Sequence, residues 1–562
     1  MTADPSKREF ARLLWRLADL VRAGESRRSF RAKAYRTAVW ALDDLPGLDV
    51  SDEQLLATPG IGPGVTALIR EYRSTGKINQ LIPLEEAHPS DAPRMRRLPR
   101  MTTRTLHDLK GLGIETSADL LQAIESGAAG TVRGVGAQTL NLWRRILELP
   151  PGPEFFPSHE AWMIATQLAS HLADHTDAEV HVAGAVRRVL EWVDRLDLVA
   201  ITENVQSMTS FLAGSAVLSS HSQESTGLHV ATSHSGLSVQ IHLAPQRAAG
   251  TALFIATGPP EHVSQVNERI YRPSEEEVYR SAGLAWIPPP ARELPLEQAT
   301  DVIRIEDLKG DLHVHGEDSP DGRMSLETIL HLATAKSYQY ILITDHTQGL
   351  HFGGLTGSEI EDQGRAIERL RPEFPDIRIF HGAELNIMRD GALDLDDDAL
   401  APLDFAVAGV HSYVGLDRDT QTKRVTAALE HPIVRVLAHP FGRRIGVRPA
   451  LDLDMEAVIE VATAQGVALE TNGHRDRLDL PQDWITVAAD RGAFFAANSD
   501  AHRIHEMDNI ANAVATLQRS GVTPSKVINS FAVDDLSDWV SRAGSTASDW
   551  RRGRDLNPRR GL

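Results

Sequence analysis

Short apolar runs that end in His, Asp or Glu recur through the second half of this 562-residue chain. Asp311-Leu312-His313-Val314-His315 comes first, followed by Asp321-Gly322. Tyr340-Ile341-Leu342-Ile343 runs into Thr344-Asp345-His346, and Arg378-Ile379-Phe380-His381 precedes Glu384. Phe405 to Val410 ends at His411, and Val434 to Ala438 ends at His439. Ala493 to Asn498 ends at Asp500 and His502. A buried strand closing on a metal-type ligand, repeated this often, predicts the ligand-bearing C-terminal rim of a β/α barrel. So many imidazoles and carboxylates exceed the needs of one ion. They suit a cluster of two or three divalent cations, and such clusters cleave phosphate esters.

The length predicts several domains, and 42% hydrophobic with 24% charged residues is ordinary for globular cores. With no cysteine, disulfides and thiolate metal sites are excluded. Any metal is held by nitrogen and oxygen, which fits Mn, Zn or Fe. No apolar run approaches the roughly 18 residues of a membrane span. Met1 to Phe10 is charged rather than a signal-peptide core, so the expected location is the cytoplasm, with no membrane partner. A net charge of −19 argues against coating nucleic acid along the whole surface. One stretch, Arg27 to Arg36, is nonetheless basic with aromatics interleaved.

Residues 8–23 and 30–43 have helical periodicity, with Leu13, Leu14, Leu17, Leu20 and Val21 on one face. Thr58-Pro59-Gly60-Ile61-Gly62-Pro63-Gly64 then separates two helical runs, which predicts a helix-hairpin-helix. Gly60, Gly62 and Gly64 would let the backbone approach a DNA phosphate at a helix N-terminus, without reading base sequence. Gly134-Val135-Gly136 is a weaker copy in a second helical region over about 100–147, and Leu98 to Thr103 occupies a turn position without glycines. Residues 155–295 read as mixed α/β, with Val182 to Arg188 and Asp194 to Val199 as the notable segments.

From about residue 5 to 535 the chain resembles a bacterial family X DNA polymerase with a C-terminal PHP (polymerase and histidinol phosphatase) domain. The resemblance rests on Gly184-x-x-Arg187-Arg188, Gly283 to Pro289, Ile303 to His313 and Arg477-Leu478-Asp479-Leu480, in the family's order. It implies a multidomain fold. Residues 1–85 would be an all-α helix-hairpin-helix DNA-binding domain and 86–150 a second, fingers-like helical domain. Residues 151–300 would be an α/β nucleotidyltransferase-like palm and thumb, and 301–540 a PHP domain with a distorted (β/α)7 barrel. The tail, 541–562, is expected to be disordered. It is polar and basic at Arg551, Arg552, Arg554, Arg559 and Arg560.

The palm departs from the family pattern. Ala185 replaces the serine of the motif whose arginines, here Arg187 and Arg188 after Gly184, contact the nucleotide triphosphate. Arg195-Leu196-Asp197 replaces an Asp-x-Asp pair, and Gln240 stands where a third carboxylate is expected. Asp197 alone remains, with Asp194 one residue out of register, whereas two-metal nucleotidyl transfer needs several carboxylates. The palm is therefore expected to be degenerate. The segment after Val266 is short, and Leu68 stands where lyase-active members carry lysine.

The PHP half keeps every ligand the resemblance implies. His313, His315, Glu384 and Asp500 would hold one ion. Glu384 would bridge to a second with His411 and His439, and Asp321, His346 and His502 would hold a third. The loop before Asp321, Gly316 to Pro320, is one residue longer than the family's usual loop, so Asp318 is a rival, with Asp321 preferred for its Asp-Gly turn. Asp345 is expected to orient an imidazole. Arg443, Arg444 and Arg477 are candidates for substrate phosphate, although Asp479 could simply pair with Arg477. In the family this domain is a Mn²⁺-dependent 3′–5′ exonuclease, and some members show phosphatase or abasic-site nuclease activity. The expected function is thus a DNA-end phosphoesterase on gapped, nicked or 3′-recessed DNA. The alternatives are a working gap-filling polymerase with an accessory nuclease, a histidinol-phosphatase-like enzyme, or a non-catalytic DNA-repair scaffold.

Overall fold

The computed structural model describes residues 5–24, 29–96, 98, 101–148, 155–266, 270–350 and 353–542. Arg27 and Arg28, Pro99 and Arg100, and the tail beyond 542 lie outside the described residues. The chain divides into two compact units, Met1–Ala285 with Ile445–Pro449, and Trp286–Arg444 with Ala450–Leu562. The break falls at 285/286 where 300/301 was expected. The intervening segment is tied to the second unit, as its turn Pro289–Glu293 packs against the helix Ile510–Arg519.

The first unit opens with helices. Helix α1 (Pro5–Gly24) buries Phe10, Leu14, Leu17 and Val21, a stripe at helical spacing. Helix α2 (Phe30–Ala41) starts at Ser29, whose hydroxyl accepts from the Ala32 amide. Helix α3 (Asp52–Ala57) has a capping box between Ser51 and Gln54. Gly60 turns the chain with φ 94, and helix α4 (Pro63–Thr75) follows with Gly62 as N-cap and Pro63 in its first turn. Leu68 is buried in the core of this bundle. Helices α5 (Thr103–Gly111), α6 (Ser117–Glu125) and α7 (Ala137–Leu147) pack around Leu106, Leu109, Leu120 and Trp143.

Helix α8 (Ser158–His175) then covers a five-stranded mixed sheet. Its strands are β1 (Glu179–Val182), β2 (Arg195–Ile201), β3 (Leu218–Ser225), β4 (Leu228–Ser233) and β5 (Ser238–Ala244), in the order β1-β2-β5-β4-β3. Only β2 and β5 run parallel, and their register sets Asp197 beside Gln240.

The second unit alternates strands and helices. Its strands are β6 (Gly310–Val314), β7 (Tyr340–Ile343), β8 (Arg378–His381), β9 (Glu384–Asn386), β10 (Ala406–Gly409), β11 (Val434–Leu437), β12 (Ala468–Asn472) and β13 (Phe495–Asn498). Nearly every strand residue is buried, as near-continuous apolar runs in parallel sheets require. All neighbours are parallel, in the orders β8-β7-β6 and β9-β10-β11-β12-β13. Isolated bridges, His346 to Glu384 and Val314 to Ala501, join the two sheets at both ends. The strand ends that carry the predicted ligands therefore gather at one rim. Among the described residues no helix is long and apolar enough to cross a membrane.

Candidate metal centre

Glu384 is the hub. Its Oε2 lies 2.9 Å from His346 Nδ1, 3.4 Å from His313 Nε2 and 3.5 Å from His315 Nε2. Its Oε1 lies 3.1 Å from His411 Nε2 and 3.0 Å from His439 Nε2. Asp500 Oδ1 sits 3.2 Å from His315 Nε2 and 3.5 Å from His313 Nε2. Asp321 reaches the other side, 3.4 Å from His502 Nε2 and 4.0 Å from His346 Nε2. The fold thus brings every sequence-predicted ligand into one connected group. Left-handed backbone at two strand ends, φ 27 at His439 and φ 54 at Asp500, turns the chain where these ligands leave the sheet. Asp318 goes elsewhere and accepts from Gln363 Nε2 at 2.9 Å.

The valences of this group are open. His313 Nε2, His315 Nε2, His346 Nδ1, His411 Nε2, Asp321 Oδ1 and Glu384 Oε2 are all buried without a hydrogen-bond partner. Buried polar atoms are almost always paired, so this many in one place calls for something to pair them. Three sets have ligand atoms mutually within 4.8 Å: His315, His346 and His502; His313, His315 and Asp500; His346, Glu384 and His411. Imidazole and carboxylate donors at such spacing fit divalent cations.

The charges agree. Against the penalty of burial, His411, His346 and His313 hold Glu384 well below the usual carboxylate range. Burial alone would raise Asp321, but His502, His346 and His315 keep it down at about 2. Burial and then Arg477 push His439 down to about 4. Against burial, Asp321 and Asp500 lift His502 to about 9. Ionised carboxylates among crowded imidazoles form a centre that a cation neutralises.

Residues 5–78 match the helix-hairpin-helix domain family. Along 546 residues the chain is 31% identical to the DNA polymerase/3′-5′ exonuclease PolX of Bacillus subtilis, covering 91% of this chain and 95% of that protein. The chain belongs to the PolX family. Shorter relatives match a stretch the size of the second unit. A probable phosphatase of Syntrophotalea carbinolica is 26% identical over 235 residues, 39% of this chain and 90% of its own length. The probable phosphatase YcdX of Escherichia coli is 27% identical over 233 residues, 39% of this chain and 89% of its own length.

This PolX-family chain orients its imidazoles through residues that the sequence reading missed. Glu470, inside β12, meets His313 Nδ1 at 2.7 Å and accepts from the His439 amide at 2.6 Å. Asn498 and Asn472 hold its two oxygens at 2.9 and 3.2 Å. Asn386 Oδ1 lies 2.7 Å from His411 Nδ1, Ser319 Oγ 3.2 Å from His315 Nδ1, and the Asp500 carbonyl 2.9 Å from His502 Nδ1. Each contact occupies one ring nitrogen and aims the other inward. The signal for Glu470 was a lone acid within the apolar run Val467 to Thr471. His474 and Glu506 form a further candidate set with His502.

Two expectations need correction. Asp345 orients no imidazole. Its Oδ1 accepts from the Gly316 and Ser319 amides at 2.6 and 3.1 Å, and Gln363 holds its Oδ2 at 2.7 Å. It fixes the loop after β6, and burial with Asp318 nearby pushes it up to about 6. Arg443 does not face a substrate either, since its guanidinium donates to the carbonyls of Arg477 and Leu478. Arg444 pairs with Asp476. Arg477 alone of the three reaches the cluster, 3.8 Å from Asp500 Oδ2, with a buried NH1 that has no hydrogen-bond partner. Asp479 accepts from the Phe441 amide at 3.2 Å and, as expected, attracts Arg477.

In the first unit, Gly62, Gly64, Gly134 and Gly136 have open space where a Cβ would be, whereas Gly60 is close to Ala41 and Thr37. Packing therefore does not explain those four glycines, although the left-handed backbone of Gly134, φ 84, itself favours glycine. Gly184 has φ 61, and a Cβ there would lie 2.2 Å from Asp197 Oδ2. Asp197 is buried with Arg195 Nε 3.0 Å from its Oδ1, while Asp194 is exposed ahead of β2. Arg187 is gripped bidentately by Glu275 at 3.0 and 2.6 Å, and Arg188 donates to the Thr257 carbonyl.

Proposed function

We propose that this chain is a divalent-metal-dependent phosphoesterase that trims DNA 3′ ends. The observation that carries this reading is the group of buried, unpaired ligand atoms around Glu384. We read the second unit as a PHP domain with a distorted (β/α)7 barrel, β8 and β9 counting as one interrupted strand position. The first unit is read as a helix-hairpin-helix domain (1–85), a fingers-like domain (86–150) and a palm whose polymerase site is degenerate (from 151). The activities named for the relatives, 3′-5′ exonuclease and phosphatase, support hydrolysis of a phosphate ester.

His313, His315, Glu384 and Asp500 would hold one ion, His411 and His439 with Glu384 a second, and Asp321, His346 and His502 a third. Such ions, Mn²⁺, Zn²⁺ or iron, supply an activated water and charge neutralisation at the phosphate. The chain's residues do the rest. Glu470 and Asn386 keep the ring nitrogens of His313 and His411 aimed at the substrate side. Arg477 offers a guanidinium to a non-bridging phosphate oxygen. Asp345 holds the loop that carries Asp321. The glycines at Gly62, Gly64, Gly134 and Gly136 admit the DNA backbone to helix N-termini. The substrate would be a gapped, nicked or 3′-recessed duplex.

The test is a 5′-labelled primer on a longer template with Mn²⁺, comparing wild type with His313→Ala. Stepwise shortening that vanishes in the variant supports the reading. No shortening by either protein overturns it in favour of a small-molecule phosphatase or a scaffold.

A further inference from the structure

The loop that leaves β10 carries an aromatic side chain that metal binding does not use. Tyr413 lies two residues past His411, so their Cα atoms are within about 7 Å. Its φ is 54, a conformation that a bulky residue holds only when its surroundings impose it. The imposing group is Arg424, which is 1% exposed. Its guanidinium donates to the carbonyls of Ser412 at 3.0 Å and Tyr413 at 3.4 Å, and to that of Ile387. Ile387 directly follows β9, which carries Glu384 and Asn386. One buried cation therefore pins both the hub strand and the Tyr413 loop.

The same cation lies over the ring of Tyr413, 5.8 Å from its centroid. Tyr413 is nevertheless 49% exposed, and Val414 beside it is 40% exposed. One ring face thus rests on Arg424 while the rest of the ring meets solvent. The cluster is accessible at His411, as it also is at Asp321 and His502, whose side chains are 46% and 17% exposed. The His411 side chain is 15% exposed, against 1% for Glu384 and 0% for His313. A rigid, half-open aromatic ring beside the mouth of a phosphate-cleaving centre is built to stack a flat ring attached to that phosphate.

We propose that Tyr413 is the platform for the nucleobase of the nucleotide whose phosphate enters the metal centre. This rests on reading the centre as a DNA-end phosphoesterase, and it specifies what separates a nucleic-acid terminus from a bare phosphate ester. Tyr413 binds the base and takes no part in bond breaking.

Full-length wild type, Tyr413→Ala and Tyr413→Phe test the proposal in two ways. The first uses metal-free protein and a recessed duplex with 2-aminopurine as its 3′-terminal base. Wild type and Tyr413→Phe quench the fluorescence, and Tyr413→Ala does not. Equal quenching by all three, or none by wild type, overturns the platform. The second is kinetic. Tyr413→Ala raises KM for 3′-end shortening about tenfold, with kcat within about twofold. Its hydrolysis of methyl p-nitrophenyl phosphate, a diester without a base, matches wild type. An unchanged KM for DNA overturns the platform and leaves the DNA-end reading intact. If wild type hydrolyses the base-free diester but leaves DNA whole, the DNA-end reading fails. Thymidine 5′-(p-nitrophenyl phosphate) then tests Tyr413 alone, and equal KM in wild type and Tyr413→Ala overturns the platform.

Discussion

The β2–β5 strand pair and the Glu384 cluster both bury carboxylates at strand positions, yet they treat them in opposite ways. Asp197 is closed internally by Arg195 at 3.0 Å, with Gln240 as its neutral neighbour across the sheet. Arg187 is closed by Glu275. Around Glu384 and Asp500 the account is left open: Glu384 Oε1 meets His439 and Asp500 Oδ2 accepts from Asn472, but Glu384 Oε2 and the facing nitrogens of His313, His315, His346 and His411 have no hydrogen-bond partner. Leaving buried polar groups unpaired is costly, and although single unpaired atoms occur elsewhere in the protein, so many converging on one point mark a place that a ligand completes. The lesson is that polar satisfaction, more than residue type, separates a centre awaiting cations from one closed by its own side chains.

The contrast can be broken most severely at the hub. Glu384→Gln should lower Mn²⁺-dependent 3′ shortening on the order of a thousandfold. It should also abolish the rise in melting temperature that Mn²⁺ gives wild type. Retention of a tenth of the activity would refute the hub role. Glu470→Gln acts at one remove, and metal titration should find affinity weakened about 10–100-fold. In the closed part of the molecule, charge removal should cost stability instead. Asp43 is bound by His171 at 3.0 Å, the Ala216 amide at 2.6 Å and the Ser215 hydroxyl at 2.6 Å. Asp43→Ala should destabilise the protein by about 2–4 kcal/mol at pH 7 in urea titrations. Burial opposes ionisation of Asp43, but His171, Ala216, Ser215 and Lys7 together hold it below its ordinary 3.8. Its contribution is therefore complete above that value and lost as pH falls through the lowered folded one, so the two proteins should converge in acid. The smallest effect is expected at Asp197→Ala. DNA shortening should match wild type, and template-directed nucleotide incorporation should stay at background in both. Incorporation by wild type that the substitution removes would reopen the palm.

The sequence was informative where chemistry sits at the end of a regular pattern. Apolar strands closing on His439 or Asp500 revealed both the element and the side chain that joins the Glu384 cluster, because side chains at a strand end have few places to go. Of the two rival acids, Asp321 lies 3.4 Å from His502 Nε2, whereas Asp318 accepts from Gln363. Partners that arrive from another strand were not legible. Glu470 meets His313 across 157 positions of sequence, and no local period encodes that distance. The arginines misled for a related reason. A long guanidinium can reach a phosphate or a carbonyl equally well, and Arg443 takes carbonyls that only the folded turn at Arg477 and Leu478 presents. Asp345 lies next to His346 in the chain but faces the Gly316–Ser319 loop, since neighbours along extended backbone point to opposite sides.

The Arg195–Asp197 pair also decides how this sheet would treat a polyanion. Three bare carboxylates repel a phosphodiester backbone until cations cover them. A guanidinium, one paired carboxylate and an amide carry no such repulsion and need no counter-ion. A duplex resting there would be held equally in Mn²⁺ and in a chelator, so grip and cut become separately controllable. If the chain is the nuclease proposed above, EDTA would stop hydrolysis and leave a duplex on this sheet undisturbed.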